Sequence, residues 1–428
     1  MKDYDMIIVG AGITGMTLAY ELSKYFSKIL LIEKESDIGG AVSSYAIDGF
    51  SIEKYYHHFF TQDLELLNLI KDLQLSGEVI WQNAPVGYYL GGEIFALNSP
   101  LDILSYRYLS LSDKIKLGIA LLKLKSQHDF LHLDHLTAKE WIIANTSVRV
   151  YENFFRPLLN AKFGKDLDIS AAWLCARIRK RANKNFEGEK LGYFKGGFRI
   201  LFEAIKQKMG KGVTILRSTE VDKVITANNM VEGVLARGAN YSSDNVIITT
   251  GSKTALRLCD FPYQEREKLK KINDQCVICC LIGLKRSLIP LYWLNIGSEG
   301  LPFGVLIEHN NFVNFEEYKN TRLLYVITYC ANENDAFFKM QDEEIFSKYS
   351  GALEGEFSLK KEDLLWYRIS RSSEAGPVYT KGILNYLPEI QSGIRGLYLA
   401  GMIRSFPDRG INESIKDAEY CAKIIAGK

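Results

Sequence analysis

The residues of this chain best suited to hold a ligand are three glycines and one acid near its start. Gly10, Gly12 and Gly15 stand in Gly-x-Gly-x-x-Gly spacing, and Glu33 follows. Gly10 lets the chain turn sharply out of a strand, Gly12 lets backbone approach a pyrophosphate, and Gly15 lets helix and strand pack closely. The N-terminus of the helix that follows offers unpaired N–H groups and a partial positive charge to phosphates. Glu33 can accept hydrogen bonds from ribose hydroxyls, and its charge repels a 2′-phosphate.

Other residues could do chemistry if the fold assembles them. His57 and His58 are adjacent. On an extended segment they face opposite ways, so one could serve a substrate or cofactor in proton transfer, the bland alternative being two structural histidines. Tyr55, Tyr56, Phe59 and Phe60 could wall a cavity or pack a core. Arg404, Asp408 and Arg409 lie where a last strand gives way to a last helix, and such loops bind ligands in doubly wound folds. Surface salt bridging is the competing reading. Arg177, Arg179, Lys180, Arg181 and Lys184 form a basic run that could attract a phosphate or an anionic membrane, although a solvated helix face is the commoner case. His128, His132 and His135 would share a helix face, but no carboxylate or cysteine completes a site, and no metal is expected. Cys276 and Cys279 form a CxxC inside an apolar run that reads as a buried strand.

These groups need elements to position them. Met6–Val9 reads as a strand, Met16 to Leu22 as helix, and Ile29 to Ile32 as a second strand ending on Glu33, a complete β–α–β unit. Helical periodicity appears over 63–73, 112–125, 150–159 and 169–181. Thr137 to Glu140 spells a capping box. The helix carrying Lys114, Lys116, Lys123 and Lys125 could rest on a membrane, but packing over its own domain is preferred. A tight turn at Tyr193–Phe198 leads into a helix ending near Lys208. Strands are expected over 213–216, 221–225, 231–236, 245–249, 276–284, 303–308, 323–330 and 396–401, and a final helix over 411–425.

At 428 residues the chain is long enough for two domains. A net charge of +2 gives no reason to expect nucleic-acid binding. No apolar run approaches the ~18 residues of a membrane span, and the start does not read as a signal peptide. Seven scattered cysteines fit a reducing cytoplasm.

Taken together, the landmarks resemble the flavin-containing amine oxidase superfamily, which includes monoamine oxidases, protoporphyrinogen oxidases and carotenoid desaturases, with UDP-galactopyranose mutase as a structural relative. They are Gly10/Gly12/Gly15 with Glu33, the Gly39-Gly40 doublet, Lys195-Gly196-Gly197-Phe198, the strand at Val221, Val246–Gly251, and Leu397–Gly410. The run Asp48 to Phe60 is similar to a flavin-proximal segment of the protoporphyrinogen-oxidase-like branch. The resemblance implies an α/β fold: a Rossmann-like FAD-binding domain of the GR2 type, assembled from 1–85, 190–255 and 366–428. A substrate domain of mixed sheet plus helices is inserted at 86–189 and 256–365.

The resemblance also implies FAD contacts from Gly10, Gly12, Ile13, Thr14, Gly15, Glu33, Lys34, Gly39, Gly40, Ala41, Val221, Thr250, Gly251, Gly401, Met402, Gly410 and Ile411. Two of these depart from the family's pattern. Ala41 stands where an arginine usually braces the pyrophosphate, and Met402 where an acid usually follows the glycine. Only one dinucleotide fingerprint is present. The expected activity is therefore FAD-dependent oxidation of a small or medium organic substrate by hydride transfer to flavin N5, with His57, His58 and Arg404 as catalytic candidates. The alternatives are a redox-neutral flavoenzyme of the mutase type acting on a sugar nucleotide, and a flavin-binding scaffold without catalysis.

Overall fold

A computed structural model describes residues 2–99, 101–164, 167–181 and 190–427. Its centre is a five-stranded parallel sheet in the order Val213–Leu216, Ile29–Ile32, Met6–Val9, Val246–Ile248, Leu397–Leu399. Every residue of Met6–Val9 and Ile29–Ile32 is buried, as a parallel sheet covered on both faces requires. Alternation decides what each face meets. Met6, Ile8, Ile29 and Leu31 pack with residues of helices Ile13–Leu22, Arg199–Lys208 and Ile411–Ile425. Ile7, Val9, Leu30 and Ile32 pack with the three-stranded antiparallel sheet Val221–Ala227, Met230–Ala236, Ala239–Ser242 and with helix Ser252–Leu258.

A second, seven-stranded mixed sheet runs Leu364–Ser372, Cys276–Leu284, Arg322–Cys330, Val305–Glu308, Trp293–Ile296, Val86–Leu90, Glu93–Ala96. Cys276–Leu284 is buried throughout. Cys276, Ile278, Cys280 and Ile282 pack with residues of helix Asp342–Phe357, while Val277, Cys279 and Leu281 belong to the core shared with the first sheet. The two cysteines of the CxxC therefore face opposite sides of one strand, and packing is their use.

Several expected elements appear with other bounds. The helix expected over 150–159 is Val148–Val150, a wider π segment Tyr151–Phe155 and then Arg156–Phe163, with Pro157 in its first turn where no N–H is needed. The stretch from 86, read as helix-rich, begins with two strands at the edge of the seven-stranded sheet. The expected domain boundary at 365/366 falls inside strand Leu364–Ser372. Helix Leu111–Ser126 buries Leu117, Ala120 and Leu124 but leaves Leu111, Ile115, Ile119 and Leu122 exposed, so only part of its apolar surface covers its own domain. The capping box at Thr137 forms as expected, with Thr137 Oγ1 accepting from Glu140 N at 3.1 Å. His128, His132 and His135 do not share a helical face, since the segment between them folds as a short 3₁₀ turn over Leu131–Leu133. Lys184 lies outside the described residues.

One buried acid ties the second sheet to the turn before helix Arg199–Lys208, which packs on the first sheet. Glu53 ends the hairpin Ser44–Ile47/Phe50–Glu53 and is 1% exposed. Its carboxylate accepts from Phe198 N at 2.7 Å and from Tyr193 OH at 2.6 Å, which seats the Lys195–Phe198 turn. Its carbonyl accepts from Tyr325 OH at 2.7 Å, which ties in the second sheet. Burial pushes the carboxyl above its usual value, and the two hydrogen bonds pull it back. Glu53→Ala leaves two buried donors without an acceptor. Its unfolding free energy in urea is expected to fall by about 3 kcal/mol; an unchanged midpoint would contradict this role.

Candidate functional site

The glycine turns form the first part of the site. Gly10 leaves the central strand with φ +103° and Gly12 caps helix Ile13–Leu22. A Cβ on Gly15 would stand 1.9 Å from the Gly10 carbonyl oxygen, so helix and turn meet backbone to backbone. The Gly39-Gly40 doublet closes against the same turn. Gly39 N donates to Ala11 O at 2.9 Å, and a Cβ on Gly40 would stand 3.1 Å from the Gly12 Cα. Glu33 braces the turn, accepting from Ala11 N at 2.7 Å and from Glu35 N at 2.9 Å. Val221 begins its strand nearby, since Thr219 N donates to Glu33 O at 2.8 Å. Lys34 is exposed, its ammonium 3.8 Å from Glu35, and stands apart from these groups.

Thr250 and Gly251 divide between two roles. The Thr250 hydroxyl is buried without a hydrogen-bond partner among the described residues, as is that of Ser44. Gly251 instead packs against Glu374 and Asp274. Those carboxylates already fill the start of helix Ser252–Leu258, accepting from Thr254 N at 2.8 Å and Ser252 N at 3.0 Å. Burial and the neighbouring Glu374 push Asp274 up to about 6.

The second part of the site is a cavity of about 230 Å³ where the two sheets and the helical insertion meet. Ile13, Ala41 and Val42 line it from the glycine turns, and Met402 and Gly410 to Ser414 from the C-terminal loop and helix. Val277, Trp293 and Tyr329 contribute from the second sheet, and Lys162, Trp173, Arg177 and Lys180 from the helices. Gly410 caps the final helix Ile411–Ile425 without a side-chain hydrogen bond, so this helix start points its positive end into the cavity wall.

His57 and His58 both line the cavity. Residues 54–58 are not a strand, so strand alternation does not set their direction; the His57 ring packs on Phe198 and the His58 ring on Phe60, Tyr292 and Trp293. His57 Nδ1 lies 2.8 Å from the Tyr55 carbonyl and must donate to it, which leaves Nε2 as an acceptor. Burial lowers His57 to about 4. His58 Nδ1 pairs with Tyr292 OH at 2.9 Å, and burial together with Arg181 and Arg177 holds it well below the usual value. Both rings are neutral at pH 7.

Arg404 takes no part in the cavity. Its guanidinium is spent on Asp417, at 3.2 Å, and on the Pro388 carbonyl. The same Asp417 accepts from Gly401 N at 2.6 Å, so an acid from the final helix holds the turn that Met402 leaves without one. Gly401 itself packs on Thr14, where a Cβ would come within 2.6 Å of the hydroxyl.

Residues 13–426 match the family model described as flavin containing amine oxidoreductase. The chain belongs to that family. Among curated proteins, the coproporphyrinogen III oxidase of Staphylococcus aureus is 26% identical over 282 residues, 57% of this chain and 59% of that protein. The chloroplastic protoporphyrinogen oxidase of Nicotiana tabacum is 22% identical over 240 residues, 49% of this chain and 43% of that one. The chain thus spans about three fifths of the first relative's length and less of the second's. Among solved structures, reduced UDP-galactopyranose mutase superposes with a TM-score of 0.76 at 16% identity, covering 99% of this chain and 96% of that one. A putrescine oxidase variant superposes at 0.74 and 16%, covering both chains fully. At such identities these structures establish the fold.

Members of the flavin containing amine oxidoreductase family carry FAD, and the residues of the site fit that cofactor. The paired glycine turns meet with no side chain between them, the buried Thr250 hydroxyl lacks a partner among the described residues, and a helix start faces the cavity. No helix among the described residues is long and apolar enough to cross a membrane.

Sequence reasoning missed Lys162, Glu53 and Asp417. It placed Arg177 and Lys180 on a basic run without seeing that they face the cavity, while Arg179 stays outside, 2.7 Å from His128. Lys180 is the hinge of this wall, 2.9 Å from Asp63, 3.3 Å from Asp408 and 3.1 Å from Glu413.

A native state that keeps His57 neutral binds fewer protons than the unfolded chain between its folded value, about 4, and the usual 6.5 of a histidine. Stability is therefore full above pH 6.5 and falls as pH drops through that window. His57→Gln is expected to flatten the fall, read as unfolding midpoints in urea across the window; slopes equal to those of the parent protein would contradict it.

Proposed function

We propose that the cavity is the substrate site, and that an organic substrate seated there is oxidised by hydride transfer from carbon while the accompanying proton leaves the cavity. FAD, when bound, supplies the two-electron acceptor, taking the hydride at N5. The observation that carries the reading is the meeting of the glycine turns, the start of the last helix and the His57–His58 pair around one cavity.

The chain's own groups have distinct tasks in this reading. Gly10, Gly12, Gly15, Gly39 and Gly40 offer backbone to the pyrophosphate, and the Thr250 hydroxyl lies beside them. Ile13, Thr14 and Ala41 complete that turn. Glu33 keeps acceptor positions for ribose hydroxyls, since a carboxylate has about four. Val221 stands beside it for the adenine. Gly401, Met402, Gly410 and Ile411 present the last helix start to the ring. His57 resists protonation, so its Nε2 orients the substrate by accepting a hydrogen bond. The aromatic walls of Tyr56, Trp293 and Tyr329 keep water away from the reacting carbon.

A redox-neutral reading, with reduced flavin acting on a sugar nucleotide, draws on the cationic wall of the same cavity. Anaerobic titration separates the two. Under the oxidative reading, one member of a panel of amines, porphyrinogens and polyenes bleaches the bound flavin without added reductant. His57→Ala then slows bleaching about tenfold or more at unchanged flavin content. Turnover of a nucleotide sugar that requires prior reduction and consumes no electrons would overturn oxidation in favour of the second reading.

A further inference from the structure

The cations of the cavity wall are unequally matched with acids. Lys180 is held by Asp63, Asp408 and Glu413. Lys162 is held by none. It stands in the last turn of helix Arg156–Phe163 and lines the cavity, its ammonium 4.8 Å from the ring centre of Tyr329 and 5.6 Å from that of Phe163. Among the described residues it makes no side-chain hydrogen bond and no ion pair.

Arg409 lines the cavity beside it and is fixed by neutral partners. It donates to the Pro377 carbonyl at 2.7 Å and to Gln275 Oε1 at 2.6 Å, and no carboxylate among the described residues pairs with it. Gln275 in turn donates to the Lys162 carbonyl, so one amide braces both cations. Burial and the guanidiniums of Arg409, Arg177 and Arg181 push the Lys162 ammonium well below its usual value, with the Asp408 carboxylate only partly opposing them. Positive charge is thus concentrated in a site shielded from water, where it costs stability unless an anion offsets it.

We propose that Lys162 and Arg409 form an anion-recognition subsite that takes a carboxylate or phosphate group of the substrate. The cavity then selects anionic molecules over free cationic amines. The proposal rests on the cavity being the substrate site, and it deepens that reading by naming the substrate's charge. A bound anion offsets the guanidinium field and lets Lys162 keep its proton, so anion and lysine hold each other. The planar Arg409 fork, already aligned by Gln275 and Pro377, loses little freedom in the process.

The test titrates the holoenzyme with benzoate and with its neutral isostere benzamide, reading the difference spectrum of the bound flavin. Benzoate is expected to bind at least about tenfold tighter than benzamide, the discrimination one charge-assisted contact gives. Lys162→Met should abolish the preference while flavin content stays unchanged, and Lys162→Arg should keep most of it. Inorganic pyrophosphate, added as a competitor, distinguishes the source of the anion. Displacement of benzoate at lower concentration marks a phosphoanhydride-bearing substrate, and failure to displace it marks a carboxylate. Equal binding of benzoate and benzamide, or a preference that survives in Lys162→Met, would overturn the proposal. Bound flavin serves here only as reporter, so the titration reads out independently of whether any substrate bleaches it.

Discussion

The carboxylate of Glu53 is closed off from water and shared by segments far apart in sequence. Its oxygens hold the turn before helix Arg199–Lys208, and its carbonyl holds a strand of the second sheet. A buried carboxylate is tolerated only when its acceptor positions are filled, so this junction forms as a whole or not at all. The chain then runs directly from Glu53 into Tyr55–His58. The docking of the second sheet against the turn before helix Arg199–Lys208 and the placement of the histidines along the cavity are therefore one constraint.

The rest of the site is built by two opposite devices. On one side, side chains are withheld: Gly12, Gly15 and Gly40 bring backbone against backbone. On the other side, charges are packed together. Lys180 gathers acids from the start of helix Leu64–Asp72, the C-terminal loop and the last helix, which locks the helical insertion onto the nucleotide-binding elements. Lys162 and Arg409 line the same cavity with no side-chain ion pair among the described residues. Electrostatics therefore divides the wall into a part locked by ion pairs and a part whose cations have none among the described residues.

The local signals were readable before the fold. The Gly10–Glu33 unit, the strand Cys276–Leu284 and the helix Ile411–Ile425 have the bounds or contacts their residues imply, because turn glycines and apolar periodicity act over a few neighbours. Strand Leu364–Ser372 was hidden because Arg368 and Arg371 interrupt any apolar run, and its partners in Cys276–Leu284 lie 80 to 95 residues away in the chain. Hairpin Val86–Ala96 was hidden for a related reason, joining the sheet edge through Trp293–Ile296. Arg404 and Arg409 look equivalent in sequence. Only Asp417, reaching back from the next helix, takes the first out of the cavity and leaves the second in it. Lys162 carries no local mark, since its meaning comes from the guanidiniums that surround it.

A crystal structure of the protein purified with its flavin tests the central claim most directly. FAD is expected with its pyrophosphate on the Gly10–Gly15 and Gly39-Gly40 turns, and its isoalloxazine ring between the Tyr55–His58 segment and the Met402–Ile411 loop. A ring lodged outside that cavity, or a nicotinamide nucleotide on the glycine turns, would contradict it.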